Sequence, residues 1–192
     1  IFMYREFDRL IAVTNRHLCQ RPFLEQLERV CRHQPKAVIL REKDLTEDAY
    51  LSLAKTALAI CREHGVPCVL HTFSDAARVL EHPYLHLPLA ALQKEGGKPE
   101  GIEILGTSIH SVEEAVDAER LDADYLTAGH IYATDCKAGL PPRGLDFLAE
   151  VCQAVSIPVY GIGGVCIGSG QLDEMLDRGA SGACVMSGMM RL

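Results

Sequence analysis

The sequence predicts an α/β fold, a small single-domain (β/α)8 TIM barrel spanning 1–192, on three observations. Eight short β-branched or aliphatic runs recur: RLIAVT (9–14), KAVILR (36–41), PCVLH (67–71), YLHL (84–87), IEILG (102–106), DYLTAG (124–129), IPVYGIGG (157–164) and GACVMSG (182–188). Segments with helical spacing separate most of them, the alternation of a parallel sheet buried on both faces. Eight runs leave roughly 24 residues per unit, close to the lower size limit of such a barrel. An open doubly wound sheet needs five or six strands and would leave two runs unexplained. The chain ends soon after the eighth run, so the eighth helix is expected to be short or missing.

Each helix has a local physical signal. Thr46, followed by Glu47 and Asp48, can cap a helix whose stripe Ala49, Leu53, Ala54, Ala57, Leu58 and Cys61 ends at Gly65. Ser111 with Glu114 three residues on is a capping box opening SVEEAVDAER. Pro22 near the start of FLEQLERVC, Ser74 before DAARVLE and Gly179 after LDEMLDR mark further starts and stops. KEGGKPEG (94–101) reads as a surface loop.

Composition narrows the function. The chain has 192 residues, 48% of them hydrophobic, with Lys+Arg 19 against Asp+Glu 26 and a formal net charge of −7. No long like-charge block or basic patch is present, so neither a nucleic-acid nor a membrane partner is expected. The apolar stretches are too short for a membrane span and the first ten residues are too charged for a secretory signal, which predicts a cytoplasmic protein. Eight scattered cysteines without a CxxC pair read as reduced, small apolar side chains. His82 and His86 lack the second ligand pair a zinc site needs, and no metal or cofactor is expected. A homodimer is the expected assembly.

In a barrel the chemistry sits at the C-terminal strand ends and the loops that follow. That filter selects Thr14, Asn15, Arg41, Glu42, Lys43, His71, Thr72, His86, Ser108, His110, His130, Gly163, Gly164 and Ser187. Gly163 and Gly164, before a helix near 168–171, and the MSG turn with Met186 and Ser187 suit a phosphate monoester, because glycine lets backbone N–H groups approach its oxygens. Turn chemistry alone is the other reading of these glycines. AGHIYATDCKAGLPPRG (128–144) is a long polar loop after strand six. His130 stands at the strand end, where an imidazole can take and give a proton, and Lys137 can meet a substrate anion. Arg41 and Lys43, one residue apart on an extended segment, project to one side. They hold either a second anionic group or an internal ion pair with Glu42 or Asp44.

ILREK (39–43), ILGTSIHSVEEAVDAE (104–119), DADYLTAGHIYATDCKAG (122–139), SIPVYGIGGV (156–165) and DRGASGACVMSGM (177–189) together resemble the thiamine phosphate synthase superfamily. The resemblance implies a barrel that handles a thiazole phosphate. Where the synthase branch has a Gln before its REK motif, an Asn-Asp pair after strand three and an Asp after strand four, this chain has Ile39, His71 with Thr72, and HLPLAAL (86–92). Those acids are magnesium ligands in the synthase branch. GHIYATDCK (129–137) is similar to the TenI-like branch, and that similarity implies a thiazole tautomerase, an isomerase of thiamin biosynthesis. It implies His130 as the acid/base, Thr134, Cys136 and Lys137 along the substrate with Arg41, Lys43 and Ser108, and Gly163, Gly164, Met186 and Ser187 on its phosphate. The alternatives are thiamine phosphate synthase, a transferase joining thiazole phosphate to a pyrimidine pyrophosphate, and a non-catalytic regulator.

Overall fold

A computed structural model describes residues 6–192. Eight parallel strands close into a barrel in the order β1 to β8, each hydrogen-bonded to the next and β8 returning to β1. The strands are β1 (Leu10–Val13), β2 (Ala37–Leu40), β3 (Cys68–His71), β4 (Tyr84–Pro88), β5 (Ile104–Ile109), β6 (Tyr125–Gly129), β7 (Val159–Ile162) and β8 (Gly182–Val185). The helices between them are α1 (Phe23–Arg32), α2 (Glu47–Glu63), α3 (Ser74–Val79), α4 (Leu89–Glu95), α5 (Val112–Arg120), α6 (Gly144–Ala154) and α7 (Gln171–Asp177). The eighth, α8 (Ser187–Met190), is a single four-residue turn, the short helix expected after strand eight.

Two apolar layers hold the barrel. The larger lies between sheet and helices and takes in Leu27, Leu40, Ala54, Leu70, Leu85, Leu105, Leu126 and Leu148. The smaller fills the interior with Ile11, Val13, Ile39, Val69, Tyr125, Tyr160 and Cys184. Successive strand residues alternate between these layers, so the strands read as continuous apolar runs rather than as an in/out pattern.

Local signals act much as the sequence implies. Thr46 Oγ1 accepts from Ala49 N at 3.2 Å and starts α2. Ser111 Oγ accepts from Glu114 N at 3.1 Å, while Glu114 Oε2 reaches back to His110 N rather than to the cap residue itself. Ser74 departs from expectation: it is the first helical residue of α3, and the cap position falls to Phe73, which makes no side-chain cap bond. Gly179, at φ 97, stops α7 as a left-handed residue beyond its C-cap. All eight cysteines are free. The sulfurs of Cys31 and Cys61 lie 3.8 Å apart, well beyond a disulfide bond of about 2.05 Å.

One buried hydroxyl ties α2 to the sheet. Tyr50 donates to Leu40 O at 2.6 Å and accepts from His71 N at 2.9 Å, bridging the ends of β2 and β3. Tyr50→Phe leaves these two interior backbone groups without that partner and is expected to cost about 2 kcal/mol, read as a lower urea midpoint at unchanged m-value. An unshifted midpoint would show that the bridge contributes nothing.

Candidate active site

A cavity of about 400 Å³ opens at the C-terminal ends of the strands. It collects His130 and every residue assigned above to the substrate, whereas Thr14, Glu42, His71, Thr72 and His86 of the strand-end selection do not line it. Arg41 and Lys43 enter from the loop after β2, and Ser108 from β5. His130, Thr134, Cys136 and Lys137 come from the loop after β6, Gly163 and Gly164 from the turn after β7, and Met186 and Ser187 from the turn after β8. Asn15, Ile109, His110 and Thr127 also line it. Thr127 escapes the strand-end filter because it lies inside β6. Its register partner Ser108 would mark it, but register is fixed only once the barrel closes.

The loop after β2 shows how its charges are divided. Glu42 is buried: its carboxylate accepts from Thr14 Oγ1 at 2.7 Å, from Arg16 N at 2.9 Å and from Arg16 Nη1 at 3.1 Å. Arg16 continues to Asp44 with bonds of 2.7 and 2.8 Å, and His17 Nε2 lies 2.8 Å from the same carboxylate. These contacts, the Arg16 hydrogen bonds foremost, hold the Asp44 carboxyl well below its ordinary range. Both acids are therefore taken by Arg16, which removes the internal-pair reading of Arg41 and Lys43. Thr14 Oγ1 also accepts from Arg41 N at 2.9 Å, fixing the backbone from which these two cations project.

The turn after β7 brings bare backbone to the cavity. Gly163 and Gly164 have φ of 105 and 70, a region open to glycine at little cost. A Cβ at Gly163 would fall 2.3 Å from His130 Cβ, and one at Gly164 2.3 Å from Ala133 O. Neither glycine amide donates to another protein acceptor among the described residues. The helix expected to assist begins at Gln171, which does not line the cavity, so the cradle consists of the turn alone.

The loop after β6 is held at both ends. Arg143 N donates to His130 O at 2.9 Å and Gly144 N to Ile131 O at 3.0 Å, while a 3-10 turn at Asp135–Lys137 presents Cys136 and Lys137 to the cavity. His130 Nε2 is buried and has no hydrogen-bond partner among the described residues.

His71 and His86 stack across β3 and β4 with centroids 5.1 Å apart. Burial, reinforced by the nearby positive charges of Arg41 and Lys43, pushes His71 down to about 3 from its ordinary 6.5. Burial, followed by the neighbouring His71, holds His86 well below the same value. Both are neutral in the native protein and charge readily once unfolded. Stability is thus fully present above pH 6.5 and declines as pH falls below it, because the unfolded chain binds the extra protons. Between pH 7.5 and pH 5.5, above the carboxylate range, each is expected to remove about 1.4 kcal/mol from the unfolding free energy. Denaturant titrations at the two pH values check this, and equal stability at both would contradict the neutral pair. His82 is separate from both: its Nε2 lies 2.6 Å from Cys68 O.

The donor set at the tips of β3 and β4 is a poor match for the magnesium of the synthase branch. Magnesium takes carboxylate oxygens in octahedral array. Here the tips offer His71, whose Nδ1 lies 2.7 Å from Thr72 Oγ1, and Pro88. Among the described residues no carboxylate lines the cavity. Among the described residues no group of three or more His, Cys, Asp or Glu could hold a metal ion. Among the same residues, no helix is long and apolar enough to cross a membrane.

Fold and site together define a β/α-barrel protein with a cationic mouth. The family profile of thiamine monophosphate synthase matches residues 10–189, and the chain belongs to that family. It is similar to thiamine-phosphate synthase 2 of Streptococcus pneumoniae serotype 4, with 35% identity across 98% of this chain and 90% of that one. To the thiamine-phosphate synthase of Syntrophomonas wolfei it is 36% identical, over 94% of this chain and 88% of that one. Among solved structures, thiamine phosphate pyrophosphorylase from Pyrococcus furiosus superposes with a TM-score of 0.79 and 27% identity, covering 97% and 89% of the two chains.

These relatives correct the tautomerase expectation. Matches over nearly the whole chain carry the synthase name, whereas the tautomerase assignment rested on the stretch GHIYATDCK and on the absence of the synthase-branch acids at His71, Thr72 and 86–92. Arg41, Lys43 and Lys137 line the cavity together with the glycine turn.

Proposed function

We propose that the protein is an enzyme of thiamine biosynthesis acting as a thiamine-phosphate synthase, a transferase joining a thiazole phosphate to a pyrimidine pyrophosphate. The observation that carries this reading is the cavity lining: Arg41, Lys43 and Lys137 with no carboxylate among them, and two free glycine amides beside them. Such a lining suits two anionic substrates held together. The full-length similarity to proteins named thiamine-phosphate synthase supports the same reaction.

The reaction breaks the bond between the pyrimidine methylene carbon and its pyrophosphate oxygen, and the electron pair leaves with the pyrophosphate. The thiazole nitrogen lone pair forms the new carbon–nitrogen bond and the ring takes the positive charge. No proton need move. What the protein must supply is orientation and stabilisation of the departing negative charge, both strongest in a preorganised, water-poor site. Arg41, Lys43 and Lys137 are assigned to the pyrophosphate, with Ser108 as a neutral donor. Gly163 and Gly164, with Met186 and Ser187, are assigned to the thiazole phosphate. His130, with its buried Nε2, and Thr134 and Cys136 are assigned to the faces of the heterocycles. The donor set does not fit a carboxylate-bound divalent cation, and every role named here falls to these residues.

The test is direct. The protein is incubated with thiazole phosphate and the pyrimidine pyrophosphate, and thiamine phosphate is followed with stoichiometric release of pyrophosphate. Product formed at a rate proportional to protein is the expected result. Tight binding of both substrates with no product would overturn the assignment.

A further inference from the structure

Behind the cavity wall lies a polar row inside the barrel. His71, His86, Gly106 and Tyr125 stand at matching register on β3, β4, β5 and β6. Gly106 makes the row possible. A Cβ there would fall 2.0 Å from Tyr125 Cζ, so the ring occupies the space a side chain would fill, and its hydroxyl lies 2.9 Å from His86 Nδ1. On the other side, His86 Nε2 is 2.8 Å from Ser108 Oγ, and Thr127 Oγ1 donates to that same oxygen at 3.0 Å. Ser108 and Thr127 line the cavity, whereas His86 and Tyr125 are buried behind them.

Counting hydrogens sets the direction of the chain. Each hydroxyl carries one hydrogen, and a neutral imidazole carries one on nitrogen. His86 Nδ1 is the hydrogen-bond partner of the Tyr125 hydroxyl, so the phenol donates to it. The reverse polarity would leave the phenol hydrogen unpaired in the interior, a costly state. With Nδ1 accepting, Nε2 bears the imidazole hydrogen and donates to Ser108 Oγ. Thr127 occupies the second lone pair of that oxygen. The hydrogen of Ser108 itself is left with one direction, toward the cavity. Burial keeps His86 uncharged and the Tyr125 phenol protonated, so the count holds across the working pH range.

We propose that Tyr125 and His86 form a buried relay that positions Ser108, presenting its hydroxyl hydrogen to a phosphate oxygen of a ligand in the cavity. The proposal rests on the reading of this cavity as a site for phosphorylated substrates. His86 and Tyr125 touch no ligand and are positioning residues. Donors arranged in series polarise one another, so the presented hydroxyl is a stronger donor than an isolated serine.

Two measurements on the full chain decide it. The first is the long-range proton–nitrogen spectrum of the protein labelled with nitrogen-15 in its histidines. His86 is expected as the neutral tautomer with its hydrogen on Nε2, and a hydrogen on Nδ1 overturns the relay. The second is binding of inorganic pyrophosphate by calorimetry. Ser108→Ala and His86→Leu are each expected to weaken it about tenfold. The double variant is expected to bind no worse than Ser108→Ala alone, because both changes remove one donor. His86→Gln, which keeps an N–H directed at Ser108, recovers most of the loss. Additive losses in the double variant overturn the proposal. If His86→Leu does not fold, Tyr125→Phe runs the same cycle with Ser108→Ala. If the wild-type chain binds no pyrophosphate, the reading of the cavity fails, and the histidine tautomer alone supports or overturns the relay.

Discussion

Arg41→Ala and Lys43→Ala are each expected to lower the rate of thiamine phosphate formation about 10²–10³-fold, the usual effect of removing one preorganised donor from a developing negative charge. The structure makes this a clean experiment. Among the described residues neither side chain takes part in an ion pair. The loop that carries them is pinned by Glu42 and Thr14, which the substitutions leave in place. Urea midpoints should therefore match the wild type while activity collapses. Variants retaining more than a tenth of the activity would show that the leaving group is held elsewhere.

Gly164→Ala is expected to be damaging in a different way. The new methyl would stand 2.3 Å from Ala133 O and 2.8 Å from Tyr132 Cβ, on a residue whose φ of 70 already disfavours a side chain. Neither neighbour is the far end of a flexible side chain, so backbone must shift. Left-handed strain of about 1–2 kcal/mol and overpacking of about 1–3 kcal/mol together predict a loss of about 2–5 kcal/mol, with phosphate affinity falling in parallel. Gly168→Ala is the internal control, since its φ of 76 is comparable but nothing lies within 4 Å of the added methyl. It should cost strain alone. Equal losses at the two positions would mean that the turn after β7 is loose enough to accept a side chain.

Much of the barrel was legible because its strands are short, apolar and spaced by helices. The Thr46 and Ser111 caps were visible because the residue that bonds the backbone is itself the signal. Ser74 misled because a serine before an apolar stretch can sit at N1 as well as at the cap. The candidate site was legible for a related reason: strand ends in a closed barrel converge, so polar residues just after each run meet whatever their separation in sequence. The interior partners of His86 were not. Tyr125 and Thr127 lie in strands buried on both faces, where no alternation separates an inward residue from an outward one, and His86, selected at a strand end, is buried behind the cavity. Their partnership depends on register, which the apolar runs do not encode. The reaction was misread because GHIYATDCK and the missing acids at His71, Thr72 and 86–92 describe three strand ends, whereas the anions a cavity accepts depend on charges gathered from all the strand ends.

The partition of charge in the loop after β2 has a consequence for ionic strength. Glu42 lies buried and bonded, so dissolved ions barely reach it, whereas the cations beside it face an open mouth. Added potassium chloride should compete for the mouth within a screening distance of about 10 Å at 0.1 M while leaving the anchor intact. Apparent KM is expected to climb with salt well before the melting temperature moves.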